Sequence, residues 1–377
     1  MHALAVTEQG TTVHAEGDCL LIRRGETVFK RVRIGELDQV LLFGRVELSS
    51  GAVAVLARKG IDVVYLTQHG TFRARLVTHG SNNVELRLTQ MRRAGDPQFA
   101  AGIARSIVLG KVKHQRQVLL RAQRRLRDPN VAQVLGRMRV IVEQLPRETD
   151  VDRLRGIEGQ AAALYFSVFG RLIRTGDFVF THRNRRPPRD PVNATLSFGY
   201  ALLTNMAESE VARCGLDPMI GFFHQPAYGR PSLVLDVIEE FRPLIDDLML
   251  RMINRRQLGV IDFQRRPTQP LETMLAAPVI PQPAAPIATS TESQEEDDPP
   301  PFDVEGAADD APRPAVYLAE TGRKIVLTAF FQRLRERTYY PPREASYEWR
   351  QILREQVYHL ARVVQAKEPQ YIAFVPK

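Results

Sequence analysis

The chain has 377 residues, 44% of them hydrophobic and 25% charged, the balance of an ordinary globular protein with length enough for two domains. No apolar run reaches about 18 residues, so no membrane-spanning helix is expected, and Met1-His2-Ala3-Leu4 lacks the basic-then-apolar order of a secretory leader. The net charge of +9 understates a basic bias: Glu292 to Asp310 carries nine acidic residues and no basic one, so the rest of the chain holds twice that surplus.

In chain order, residues 1–82 read as a β-domain. Apolar or alternating runs at Ala3–Val6, Cys19–Ile22, Val28–Val32, Gln39–Leu42, Ile61–Leu66 and Phe72–Val77 predict strands, punctuated by turns such as Glu16-Gly17-Asp18. One helix, Ser49 to Lys59, interrupts them and ends at Gly60. From Asn83 the period becomes helical, with helices expected at Gln98–Arg127, Val131–Leu145, Asp150–Phe169, Val192–Cys214, Ser232–Asn254, Ile325–Arg337 and Tyr347–Ala366. Strands first and helices second predict an α+β protein: an N-terminal β-sandwich-like domain, then an all-helical catalytic domain, without interleaved βαβ units. Residues 267–314, rich in Pro, Ala, Ser and Thr and then acidic, bury too little apolar surface to offset ordering entropy and are expected to be disordered. They divide the helical domain into 83–266 and 315–377. Cys19 and Cys214 match no metal or redox spacing, as expected of a protein in a reducing cytoplasm.

Three places could carry chemistry. On the helix from Ser232, the residues Leu233, Val234, Val237, Ile238 and Phe241 form an apolar face, beside which Asp236, Glu239 and Glu240 project together. Such a strip can ligate a hard cation or be a solvated acidic face paired with Arg242. His224 closes an apolar run just upstream, and a single histidine serves as ligand or as structure. Glu158, between Gly156 and Gly159 and followed by small residues, is either held inside a bundle or sits in an early helical turn that favours an acid.

Together these segments resemble the larger catalytic subunit of the CRISPR adaptation complex, the spacer-acquisition integrase. The matching motifs are Gly156-x-Glu158-Gly159-x-Ala161 with Tyr165-Phe166, Asn193-Ala194, and Ser197-Phe198-Gly199-Tyr200-Ala201-Leu202-Leu203. They continue with Gly215-Leu216-Asp217-Pro218-x-x-Gly221-Phe222-x-His224 and Arg230-x-Ser232-Leu233-x-x-Asp236-x-x-Glu239-Glu240-Phe241-Arg242-Pro243, and Gly110-Lys111-Val112 with Gln115-Arg116 fits an earlier helix. The likeness spans most of the chain outside 267–314, and His114 stands where the family often has asparagine. The resemblance implies a homodimer working with a small ferredoxin-like subunit, and a metal site of Glu158, His224 and Glu239, with Asp236 as supporting acid or alternate ligand.

Two carboxylates and an imidazole suit Mg2+ or Mn2+, able to activate a 3′-hydroxyl of incoming DNA for attack on a phosphodiester of the CRISPR repeat. The basic surplus fits a nucleic-acid partner, since each phosphate neutralised releases a condensed counterion. The expected DNA contacts are Lys111, Lys113, Arg116, Arg183, Arg185, Arg186, Arg230 and Arg242, with Tyr165 at the site. A general metal-dependent nuclease and a non-catalytic DNA-binding scaffold are the rival readings.

Overall fold

The computed structural model describes residues 2–68, 70, 72–76, 83–184, 187–266 and 314–376. The chain opens with strands β1 His2–Val6, β2 Thr11–Glu16, β3 Cys19–Arg24, β4 Thr27–Arg33, β5 Leu37–Phe43 and β6 Val46–Leu48. Helix α1 Ser50–Arg58 follows, then β7 Asp62–Leu66 and β8 Phe72–Leu76. One sheet has the order β1-β5-β7-β8 and the other β4-β3-β2-β6. The β5 run Leu37-Asp38-Gln39-Val40-Leu41-Leu42-Phe43 is apolar without strict alternation because both faces are covered. Val40 and Leu42 enter a core shared by both sheets and α1, with Leu4, Val13, Leu20, Ile22 and Leu56. Leu41 and Phe43, with Val64 and Leu66, join the core of the helices.

This arrangement corrects one expectation. β5 and β7 are parallel with α1 between them, so a βαβ crossover exists inside the strand-rich region. The apolar runs Gln39–Leu42 and Ile61–Leu66 were those of a parallel pair buried on both sides.

The helices are α2 Val84–Ala94, α3 Pro97–Leu126, α4 Pro129–Gln144, α5 Val151–Phe169, α6 Pro191–Cys214, α7 Ser232–Glu239, α8 Arg242–Asn254, α9 Glu320–Arg335 and α10 Trp349–Val364. Three begin with the dipeptide Asp-Pro. Asp96, Asp128 and Asp190 accept hydrogen bonds from exposed N–H groups of the first turn, and Pro97, Pro129 and Pro191 occupy the position where a missing N–H costs nothing. Long α3 packs against α4, α5, α7 and α8. Leu318, Phe330, Trp349 and Leu353, beyond the Pro-rich stretch, share the same core.

The single helix expected over Ser232–Asn254 is broken. Pro243 cannot donate to a preceding turn, so α7 stops at Glu239 and α8 starts at Arg242. Nor is the C-terminal region all-helical: β9 Phe263–Arg266 pairs antiparallel with β10 Ala315–Leu318, and β11 Arg337–Tyr340 with β12 Ala345–Glu348. These four-residue strands are too short to leave a period in the sequence. Their pairing sets Arg266 opposite Ala315, on either side of the stretch expected to be disordered, which lies outside the described residues except for Pro314. Both cysteines are free thiols. Among the described residues no helix is long and apolar enough to cross a membrane.

Candidate active site

Helix α3 buries one stripe, and the stripe includes a charge. Ala100, Ala104, Ile107, Lys111, His114 and Val118 follow at steps of three and four, and all are buried. On α5 the corresponding stripe is Leu154, Glu158, Ala161, Tyr165 and Val168, which directs Glu158 at α3. Glu239, in the last turn of α7, comes from the third side. Lys111 Nζ is paired with Glu158 Oε1 and lies 2.5 Å from Glu239 Oε2, and all three side chains are about one-tenth exposed or less. The approach to Glu239 Oε2 is off the hydrogen-bonding direction, leaving that buried oxygen without an aligned donor. Arg242 Nε donates to Glu239 Oε1 at 2.8 Å, and its guanidinium lies 5.0 Å from the centre of the Tyr200 ring.

Electrostatics favour the charged forms of Glu239 and Lys111. Burial favours a neutral Glu239, but Arg242, Lys111 and His224 outweigh it and keep the carboxyl well below its usual range. For Lys111 burial disfavours the ammonium, and Glu158 and Glu239 outweigh that and raise its pKa. Behind Tyr200, whose hydroxyl donates to Asp246 Oδ1, burial pushes Asp246 up to about 6.

His224 is placed by Asp236, which is fully buried. Asp236 Oδ2 accepts from the backbone N–H of Phe222 at 2.6 Å and Phe223 at 3.0 Å; Oδ1 accepts from that of His224 at 2.9 Å and lies 2.8 Å from His224 Nδ1. With its oxygens so engaged, Asp236 fixes the imidazole of His224. Holding Nδ1 leaves Nε2 as the ring nitrogen able to accept a cation. Gly221 makes the wrap possible, since a Cβ there would sit 2.9 Å from Asp236 Oδ2 and 2.8 Å from His224 O. Arg155, one turn before Glu158, donates from Nε and Nη2 to Phe223 O at 3.1 and 2.8 Å and ties α5 to this loop. Gln90 of α2 anchors the residues just before the loop, bonding Asp217 N, Asp217 O and Ile220 O. Sequence reasoning passed over Arg155 and Gln90; an arginine at i−3 from Glu158 was the available signal for the first.

The expected DNA contacts divide. Lys113 is exposed, and Arg116 and Arg230 are half-buried, Arg230 against Gln225 O. Arg183 is half-buried, bonded to Asn193 Oδ1 at 2.7 Å and Ser197 Oγ at 3.2 Å. Arg185 and Arg186 lie outside the described residues. Three of these expectations need correction. Lys111 and Arg242 turn inward as counter-charges of Glu158 and Glu239, and Tyr165 is fully buried against Phe166 and Phe169. Lys111 and Tyr165 lie on the buried stripes of α3 and α5, and the Arg242 guanidinium is held by Glu239 over the Tyr200 ring.

His114 packs in the interior. Its ring stacks on Trp349 at 5.8 Å, and Nδ1 lies 3.0 Å from Glu240 O. Burial lowers its pKa from 6.5 to about 4, so its contribution to stability is full above pH 6.5 and is lost as the pH falls from there towards 4. Glu240 and Asp246, pushed up to about 7 and about 6 by burial, act with the opposite sign, losing their contribution as the pH rises. A His114→Asn variant separates the two: between pH 7.5 and 4.5, measured by urea unfolding, it gains roughly 2–3 kcal/mol relative to the parent. A difference independent of pH would mean that His114 is solvated.

Among the described residues no group of three or more His, Cys, Asp or Glu side chains stands at metal-holding distances, the Lys111 ammonium lying between the two glutamates. The donor set nevertheless fits a hard divalent cation: two carboxylates converge on one cationic position, one oxygen lacks an aligned donor, and an oriented imidazole is near enough to lower the Glu239 pKa.

A family model described as CRISPR associated protein Cas1 matches residues 4–277. The CRISPR-associated endonuclease Cas1 2 of Rhodospirillum rubrum is 43% identical over 279 residues, covering 70% of this chain and 79% of that protein. Among solved structures, a casposase bound to integration product superposes with a TM-score of 0.75 at 19% identity, covering 99% of this chain and 93% of that one. A chain of a Cas6-RT-Cas1–Cas2 complex gives 0.74 at 20% identity, covering 99% of this chain and 36% of that one. At these identities the structural likeness speaks for the fold.

Proposed function

Because this chain belongs to the CRISPR-associated Cas1 family, we propose that it cuts and joins DNA, inserting new spacer fragments into a CRISPR array by attack of a 3′-hydroxyl on a phosphodiester. The observation that carries this reading is the convergence of Glu158 and Glu239 on one buried cationic position, with His224 oriented by Asp236. Glu158, His224 and Glu239 would hold Mg2+ or Mn2+, which supplies polarisation of a phosphate oxygen and acidification of the attacking hydroxyl. Asp236 keeps His224 in one tautomer and one orientation. Arg242 balances Glu239, so the site tolerates its own negative charge without protonating. No side chain need attack phosphorus, in keeping with the burial of Tyr165.

Lys113, Arg116, Arg183 and Arg230, with exposed Arg124, Arg125, Arg174 and Arg189, fit the role of phosphate contacts that position DNA without reading sequence. The two bodies of the chain read as a β-sandwich-like domain over 1–82 and a catalytic domain of 83–266 completed by 315–377. The expected assembly is a homodimer with a small ferredoxin-like subunit, a reading supported by likeness to a chain of a Cas1–Cas2 complex.

The test is strand transfer of a 3′-hydroxyl fragment into a supercoiled plasmid carrying the repeat, with Mn2+, Mg2+ or EDTA, with and without the small subunit. Metal-dependent joining that the Glu158→Ala variant lacks is the expected result. Nicking without joining, even with the partner, would instead mark a general nuclease, and tight DNA binding without chemistry a scaffold.

A further inference from the structure

Glu240 follows Glu239 in sequence but turns to a different set of partners. Its carboxylate is 1% exposed and accepts from Tyr371 Oη at 2.7 Å, from Gln356 Nε2 at 3.1 and 3.2 Å, and from the backbone N–H of Phe374 at 2.5 Å. No cation is among these donors. A buried carboxylate bound only by neutral donors is costly unless the whole network is in place. Two of the donors belong to the segment Tyr371–Pro376, which also runs along α3. There Ala373 N donates to Ser106 Oγ at 3.1 Å, and Gln117 Nε2 donates to Pro376 O. Between those two contacts, Gly110 gives the segment its bed: a Cβ on Gly110 would stand 2.5 Å from the Cβ of Ala373. The segment thus touches the immediate neighbour of Lys111 on one helix and the immediate neighbour of Glu239 on the other.

We propose that Tyr371–Pro376 is a positioning strap for the active site, fixing α7 through Glu240 and α3 through Gly110 and so setting Glu239 against Lys111 and Glu158. The strap lies beyond the residues that the family model matches, so the motifs that mark the site do not contain it. As far as catalysis is concerned, this rests on the cutting-and-joining reading above.

The test uses the full chain and a pair of changes that alter no charge and no hydrogen bond. Gly110→Ala places the better helix former in α3 but pushes against Ala373, and Ala373→Gly removes the atom it meets. The expected result is that Gly110→Ala slows strand transfer about 10- to 100-fold, the range for losing a supporting contact, with DNA affinity within about twofold. Amide hydrogen exchange rises over both 371–376 and 233–241. The double variant Gly110→Ala/Ala373→Gly returns rate and exchange to near the parent.

A folded double variant as slow as Gly110→Ala overturns the proposal. So does a Gly110→Ala protein with faster exchange over 371–376 but unchanged rate and unchanged α7, because a strap that only stabilises the fold behaves that way. If Gly110→Ala does not fold, Tyr371→Phe, which removes one donor and keeps the ring, is held to the same split between rate and affinity. A parent protein without metal-dependent DNA chemistry would defeat the functional reading, and the strap would then be judged on α7 exchange alone.

Discussion

Asp236→Asn lowers strand transfer by about 10- to 100-fold and global stability by roughly 2–4 kcal/mol. The substitution keeps the shape and removes the charge, and the damage comes from donors left without acceptors. Three backbone N–H groups and His224 Nδ1 converge on the two Asp236 oxygens, in a place with no solvent access. An asparagine offers one oxygen, and whichever way it flips, its NH2 faces N–H groups. The loop from Gly221 to His224 then unwraps, and the imidazole loses both its orientation and its tautomer. Urea unfolding and single-turnover strand transfer on the same preparation check both halves. A variant with normal stability would show that the loop holds its shape without Asp236, and that the acid is no hub.

Lys111→Met destabilises the metal-free protein by about 3–5 kcal/mol, the cost of leaving a buried charge without its partner. Methionine fills the same volume, so packing is kept and the effect is electrostatic. Glu158 and Glu239 then face each other with Arg242 as their nearest remaining cation. Because Arg242 already serves Glu239, the loss falls on Glu158. Mn2+ added to the variant recovers part of the lost stability, since a cation that binds only the folded state stabilises by mass action. Urea midpoints with and without Mn2+ provide the measurement. Equal stability of variant and parent would mean that water reaches the two carboxylates.

Much of this organisation was legible in the chain, and the reasons for the rest are physical. The Asp-Pro pairs at 96, 128 and 190 mark helix starts because cap and first residue are both local in sequence. The acids stand out in the chain because Asp236 and Glu239 are one turn apart and because the motifs around Glu158 and His224 resemble those of a family. The direction of Lys111 was missed although its spacing from Ile107, His114 and Val118 puts it on the buried stripe. A lysine at such a place is read as solvated until its partners are known, and those lie on two other helices. The break at Phe241 was signalled by Pro243 and overlooked because the apolar period continues through it. Tyr371 and Phe374 could not have been joined to Glu240 by any local pattern, since more than 130 residues separate them.

The short ribbon of β9 and β10 has a consequence for how such a chain can vary. Its register holds Arg266 and Ala315 as opposite numbers, so whatever the chain carries between them departs and returns through a single doorway. Doubling the length of a flexible loop adds only about 0.6 kcal/mol to the entropy of closing it. Selection can therefore lengthen, shorten or recolour that stretch, even to the acidic composition of residues 292–310, while Glu158, His224 and Glu239 keep their addresses. The doorway separates change in the length and charge of that stretch from the packing of α3, α5 and α7 around Lys111.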